Sequence, residues 1–232
     1  MRIKPILFNT EMVRALLDGR KTVTRRAVKF NKGQNPAWTG YVPDGDVLYG
    51  SNNIPAAKAL FRKGDVLWVR ETWGIQSAHR FECDAKITYK SGGDLQKVQF
   101  SNWDDYDRFI WNKRVGGGKW YPSIHMPREA ARIFLRVTGV RVERLKDITE
   151  EDAKAEGICG FFLGMGETGY SENPEAKTFY DGPVGAFANL WDSTIKPADR
   201  DHYGWSANPW VWVIEFERCE RPKEWGSVSQ VE

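Results

Sequence analysis

The chain has 232 residues, 41% of them hydrophobic, so it can build a sizeable core as one large domain or a smaller one with insertions. Its net charge of +3 excludes coating of nucleic acid by bulk electrostatics; any anionic partner must be met by a local patch. The three cysteines, Cys83, Cys159 and Cys219, are odd in number and widely spaced, which argues against a disulfide framework and against zinc.

Residues 2–8 contain Ile6-Leu7-Phe8 and read as a first strand. Residues 9–18 predict a short helix: Asn9 caps it, Met12, Val13, Leu16 and Leu17 form one apolar face, and Gly19 stands where a left-handed terminator belongs. Thr22, Val23 and Thr24 are β-branched and start a strand, so two hydroxyls and four cations fall within the seven residues Arg20–Arg26. Cations also suit the negative end of a helix dipole, so the stretch reads either as a solvated strand start or as a pocket for an anionic or polar ligand. Glycines and prolines over 31–60 break any period there, and the segment reads as an insertion loop with a short hairpin at Val47-Leu48-Tyr49.

Gly64-Asp65 turns into Val66-Leu67-Trp68-Val69-Arg70-Glu71, an apolar run expected to be buried on both faces, as in a small barrel. Glu71, Thr72 and Trp73 are expected to close it, where polar groups either reach a pocket or merely finish the strand. Residues 76–118 read as a second insertion, with a strand over 84–90 turning at Gly92-Gly93. The acidic run at 103–107 lacks the glycine and final glutamate of a calcium loop and reads as a capped helical turn. In Trp120–Arg128, Pro122 and Pro127 fix the backbone that carries His125 and Arg128; His125 is either a structural histidine or a pocket residue.

Residues 132–142 predict a long strand and 147–157 a second short helix, capped by Thr149 with Glu150, Glu151 and Asp152 at its positive end. Glu156 falls in its last turn, where the dipole disfavours a carboxylate by up to about 1 kcal/mol. That is either a solvated accident or a carboxyl of raised proton affinity. Residues 160–182 read as a third insertion, and Pro183 opens a helix with Val184, Phe187, Leu190 and Trp191 on one face. Trp205-Ser206-Ala207-Asn208-Pro209 turns into a strand over 210–217, and the tail after Pro222 is expected to be polar and disordered. Eleven tryptophans and twelve phenylalanines exceed the usual need of one core, and such an excess lines pockets or stacks on bases.

Five segments, in this order, carry a resemblance: Ile6-Leu7-Phe8, Asp18 to Arg26, Gly64-Asp65-Val66-Leu67, Ile148 to Gly157 and Trp212-Val213-Ile214-Glu215-Phe216. Together they resemble the ASCH family of the PUA-like superfamily, and the phrase 122–128 resembles a longer subgroup common in phage and prophage genomes. The resemblance implies an α+β fold: a PUA-like small β-barrel with flanking helices and three loop or hairpin insertions. It would form a single domain over 1–220, with insertions near 31–60, 76–118 and 160–182 and a polar tail at 221–232. Family members are thought to bind RNA or modified nucleosides. The smallest include N4-acetylcytidine amidohydrolases, whose functional lysine, threonine and glutamate fall here on Lys21, Thr24 and Glu156. Arg25 stands where those enzymes usually carry an apolar residue.

Hydrolysis of an acyl amide needs a nucleophile, a base, an acid for the leaving amine and a donor for the oxyanion. Thr24 is the candidate nucleophile, Lys21 its base and Glu156 the acid. Residues i and i+3 of a regular strand face opposite sides, so Lys21 and Thr24 converge only if the turn after Gly19 is irregular. Arg25, Arg26, Glu71, Trp73, His125, Arg128, Trp205 and Asn208 are the candidate ligand-binding residues, the arginines for phosphate and the tryptophans for base stacking. The expectation is therefore an amidohydrolase acting on an N-acylated cytosine nucleoside or related base. The alternatives are a non-catalytic reader of RNA, DNA or a modified nucleotide, and a ribonuclease using His125. No cofactor and no metal are expected. The expected partner is a modified nucleoside, RNA or DNA, and not a membrane. The start Met1-Arg2-Ile3-Lys4-Pro5 lacks the apolar run of a signal peptide, so the expected location is cytoplasmic.

Overall fold

Residues 1–31, 40–42, 47–49, 55–111, 113–164, 167–173 and 175–225 are described by the structure, a computed structural model. Ile3–Leu7 forms β1. The helix expected next is α1 (Thr10–Leu17), begun by Asn9, whose Oδ1 accepts from the Met12 N–H at 2.8 Å, and stopped by Gly19 at φ +76°. β2 (Val23–Ala27) follows. β3 (Gly40–Val42), β4 (Val47–Tyr49) and β5 (Pro55–Lys58) then pair antiparallel, where the sequence suggests one hairpin. The rest of that expected loop up to residue 54 lies outside the described residues, apart from its first residue.

β6 (Val66–Arg70), β7 (Trp73–His79), β8 (Asp84–Tyr89) and β9 (Gln96–Gln99) come next, and Trp73 opens β7 instead of closing β6. α2 (Trp103–Ile110) is capped by Asn102, whose Oδ1 accepts from the Asp105 N–H at 2.9 Å. β10 (Phe134–Arg144) leads to α3 (Glu150–Ala155), the hairpin β11 (Cys159–Gly164) and β12 (Glu167–Ser171), and α4 (Pro183–Thr194). The short α5 (Arg200–Tyr203) and β13 (Trp210–Cys219) complete a mixed α+β fold with several sheets. No described helix is long and apolar enough to cross a membrane.

The elements fall into two compact units. The first comprises Met1–Arg14, Val66–Arg136 and the chain from Arg218. Here the strand order is β1-β6-β10, with β1 parallel to β6 and the first residues of β10 antiparallel to it. β6 is thus flanked on both edges, and Val66, Leu67, Trp68 and Val69 are all buried, as its unbroken apolar run predicts. β7, β8 and β9 form a separate antiparallel sheet, and Trp73, Ile75, Ile87 and Phe109 are all buried in one core. Residues 76–118, expected as an inserted segment, thus supply much of this unit's apolar interior. The disordered-tail expectation is corrected at Trp225. That indole is 4% exposed, edge-on to Trp68 at 5.6 Å and to Phe134 at 4.9 Å, because burying its area outweighs the polar character of its neighbours.

The second unit comprises Ala15–Asp65 and Val137–Glu217. Its strand order is β10-β13-β2, and β2 runs antiparallel to β13 from Val23↔Glu215 to Ala27↔Val211. α4 buries Phe187, Leu190 and Trp191, as its spacing predicts, with Pro183 in the first turn. α3 ends at Gly157, whose φ is +110°. A Cβ there would come within 2.8 Å of the Ala15 Cβ, so glycine both adopts the left-handed terminus and lets α3 approach the end of α1.

Candidate functional site

The turn after α1 is irregular, as convergence of its side chains requires. The amides of both Arg20 and Lys21 donate to the Ala15 carbonyl, at 2.9 and 3.0 Å, and the Thr22 amide donates to Ala155 O at 2.9 Å. The ladder to β13 begins only at Val23. Residues 20–22 therefore belong to no strand, and they are stitched to the C-terminal end of α3.

That stitching brings Lys21 onto Glu156. Lys21 Nζ donates to Glu156 Oε2 at 2.6 Å, to the Glu156 carbonyl at 2.8 Å and to the Val23 carbonyl at 2.8 Å. The side chains are 0% and 3% exposed, so the pair is removed from water. Burial lowers the Lys21 pKa below its usual value; Glu156 opposes that shift, and Arg26 and Arg25 add to it. Glu156 caps α3, so its carboxylate faces cations at the negative helix end and not solvent.

Arg25 completes a buried network. Its guanidinium reaches Glu156 Oε1 at 3.3 Å, Glu143 Oε1 at 2.7 Å and Asp152 Oδ2 at 2.7 Å, and it lies 5.9 Å from the Phe187 ring centroid. Arg141 extends the network, bonding Asp152 at 3.0 Å and Glu143 at 3.2 Å and pairing with Glu215. Arg25 is therefore corrected from phosphate contact to structural cation: its side chain is 0% exposed and three carboxylates take its donors. The carboxylates Glu143 and Asp152 are far away in sequence, and nothing near Arg25 announces them.

Thr24 is 1% exposed, and its Oγ1 is buried without a hydrogen-bond partner. Lys21 Nζ bonds the carbonyl of Val23, one peptide unit from Thr24, yet makes no hydrogen bond to its hydroxyl. An orphaned buried hydroxyl is rare enough to require a reason. Register places Thr24 opposite Ile214 and Arg26 opposite Trp212, so these four side chains share one face of the ladder, and Arg25 and Glu215 share the other.

On the Thr24 face lies a cavity of about 470 Å³, within the range of small-molecule sites. Arg26, Lys29 and Lys58 line it with Phe61, Trp212 and Ile214; Arg26 Nη1 also donates to the Arg25 carbonyl at 3.1 Å. Desolvation lowers the Arg26 pKa, with Glu156 opposing. Sequence reading selects Arg26 and misses Lys29, Lys58, Phe61 and Trp212. Lys58 sits at the end of β5, in a stretch read as loop, and no short-range pattern connects it to β2.

The remaining candidates make local contacts of their own. In the second unit, Trp205 lies edge-on to Phe187 at 6.3 Å, and its amide donates to Asp192 Oδ1 at 2.7 Å. Asn208 is left-handed at φ +49° and structural: Oδ1 accepts from the Lys146 amide at 2.8 Å and its carbonyl accepts from Arg144 at 3.1 Å. In the first unit, Glu71 is 1% exposed and clamped by Arg132 at 2.9 and 3.0 Å and by Ser91. Trp73 is 0% exposed against Tyr121 and Phe109, so it is corrected from base-stacking surface to core. His125 is exposed in a one-turn 3-10 segment, and Arg128 lies 4.2 Å over the Trp225 ring.

The first unit also holds a triad that sequence reading passes over. His79, Glu82 and Asp84 bring ligand atoms within 4.8 Å of one another across a turn in which Cys83 has φ +49°. Asp84 is already engaged, by Lys97 at 2.7 Å and His79 at 2.9 Å. No protein-family model matches the chain, and searches of curated proteins and of solved structures find no match either.

Proposed function

We propose that the protein is an ASCH-type, PUA-like hydrolase of N-acylated cytosine nucleosides or closely related modified bases. The observation that carries this reading is the buried Lys21–Glu156 pair at 2.6 Å, three residues along the chain from a Thr24 hydroxyl that is buried with no partner. A buried ion pair is a poor source of stability, since equally bulky apolar residues often serve as well or better. A shared-proton pair does suit acid–base chemistry. Proton transfer from Lys21 to Glu156 leaves a neutral amine and a neutral carboxyl, a base and an acid together in one site.

In that state Thr24 Oγ attacks the acyl carbonyl and its proton passes to Lys21. Collapse of the tetrahedral intermediate breaks the C–N bond, and Glu156 protonates the departing cytosine amine. Water then attacks the acyl-threonine ester, giving up a proton to the Glu156 carboxylate; as the ester C–O bond breaks, Lys21 returns its proton to Thr24 Oγ, and the carboxylic acid leaves with all three residues restored. The sequence needs the substrate to draw Thr24 and Lys21 into hydrogen-bond contact, a tightening that empty active sites often require.

A second reading, a non-catalytic nucleotide reader, is favoured by one fact. Lys21 Nζ spends its donors on three protein oxygens, as a purely structural ammonium would. The two readings separate in an assay of N4-acetylcytidine and other N-acylated cytosines with wild type, Lys21→Met and Thr24→Val. Hydrolysis by wild type that disappears in both variants, with nucleoside binding kept, is the expected result. No turnover of any acylated base, together with salt-sensitive RNA binding, would decide for the reader.

A further inference from the structure

The cavity on the Thr24 face carries more cation than a neutral nucleoside needs. Among the described residues that line it, Arg26, Lys29 and Lys58 are cations, and none is Asp or Glu. Lys29 and Lys58 are exposed and make no ion pair or hydrogen bond with any described residue. Arg26 is half-buried, where a guanidinium has lost part of its hydration and gains most from an anion. The walls between these cations are apolar and aromatic: Phe61 is 7% exposed, Trp212 4% and Ile214 2%.

We infer that this cavity takes a nucleotide unit, with phosphate on Arg26, Lys29 and Lys58 and the base against Phe61 and Trp212, in preference to an unphosphorylated nucleoside. The inference rests on the nucleic-acid-related reading above and adds the phosphate to it. Aromatic walls accept a planar base whatever its identity, and a cation cluster with no carboxylate among its described lining residues favours an anion. Register explains how the lining is assembled. Arg26 and Trp212 are paired across the ladder, and Ile214, also in the lining, stands opposite Thr24. Thr24 itself is buried and is not among the described lining residues.

The test is calorimetric titration of wild type and the Lys29→Ala/Lys58→Ala double variant with cytidine monophosphate, cytidine, inorganic phosphate and a short single-stranded oligonucleotide, each at two salt concentrations. Both lysines are exposed, so the variant is expected to fold. Wild type should bind the monophosphate at least about tenfold tighter than cytidine or phosphate alone, and that preference should shrink in the double variant and at higher salt. The oligonucleotide arm tells the two sources apart: tighter binding than the monophosphate assigns a nucleotide within a chain, weaker binding a free nucleotide. Equal affinity for monophosphate and cytidine, or a double variant that keeps the full preference, overturns the inference. Acylated-cytidine hydrolysis measured in parallel keeps the failures separate. Turnover without phosphate preference sinks only this inference, and phosphate preference without turnover sinks only the hydrolase.

Discussion

Replacing Glu156 by Gln removes a charge and keeps the shape. The carboxylate receives Lys21 at 2.6 Å and Arg25 at 3.3 Å, all three side chains being no more than 3% exposed. Without it the two cations face each other with the charge between them gone. Breaking a buried pair from one side costs about 3–5 kcal/mol. Arg25 keeps Glu143 and Asp152, and Lys21 keeps two backbone carbonyls, so the lower end, about 3 kcal/mol, is expected. At about 2–4 °C per kcal/mol for chains of this size, Tm should fall by about 6–12 °C. The pH dependence carries a sign. Burial already holds the Lys21 pKa below 10.5 against the pull of Glu156, and removing Glu156 lowers it further. Between the folded value and the unfolded one, the unfolded chain binds more protons, so stability rises with pH through the window below 10.5. The variant should therefore recover more of its loss at alkaline pH than wild type gains. Thermal and urea unfolding at neutral and alkaline pH would measure both effects. The Lys21→Met/Glu156→Leu double variant should lie closer to wild type than Glu156→Gln does, because removing both partners leaves no orphaned charge. A Tm within about 2 °C of wild type for Glu156→Gln at both pH values would refute the argument.

Thr24→Val keeps the β-branched shape and deletes a buried hydroxyl that has no partner, so stability should rise by about 1 kcal/mol in denaturant unfolding while any hydrolysis is lost. A loss of stability instead would mean that the hydroxyl is bonded. The Asp84 carboxyl is held at about 2 by Lys97 and His79, against 3.8 when free, so its stabilisation is complete above 3.8 and fades as pH falls towards 2. Asp84→Asn should accordingly be less stable than wild type at neutral pH, and the two should converge across that acid window. Parallel curves with no convergence would show that the carboxylate contributes nothing.

What depends on neighbours in sequence was legible in sequence. Asn9 and Thr149 cap their helices because a side-chain oxygen reaches an amide three residues on, and Gly19 ends α1 because a glycine tolerates φ +76°. The apolar run of β6 and the Phe187-Leu190-Trp191 face of α4 declare burial by period alone. The pairing of Lys21 with Glu156 followed from resemblance and from a carboxylate placed against the dipole, not from spacing. Distant neighbours decided the rest. Two adjacent arginines look alike in the chain, yet strand alternation turns Arg25 into the Glu143–Asp152–Glu156 network and Arg26 towards the cavity. Trp73 and Trp225 carry no local mark that separates core from stacking surface, since an indole serves either use and only its surroundings choose. Lys58 joins the cavity wall across some thirty residues of chain from Lys29, a closure whose loop entropy is repaid by contacts that no short window contains.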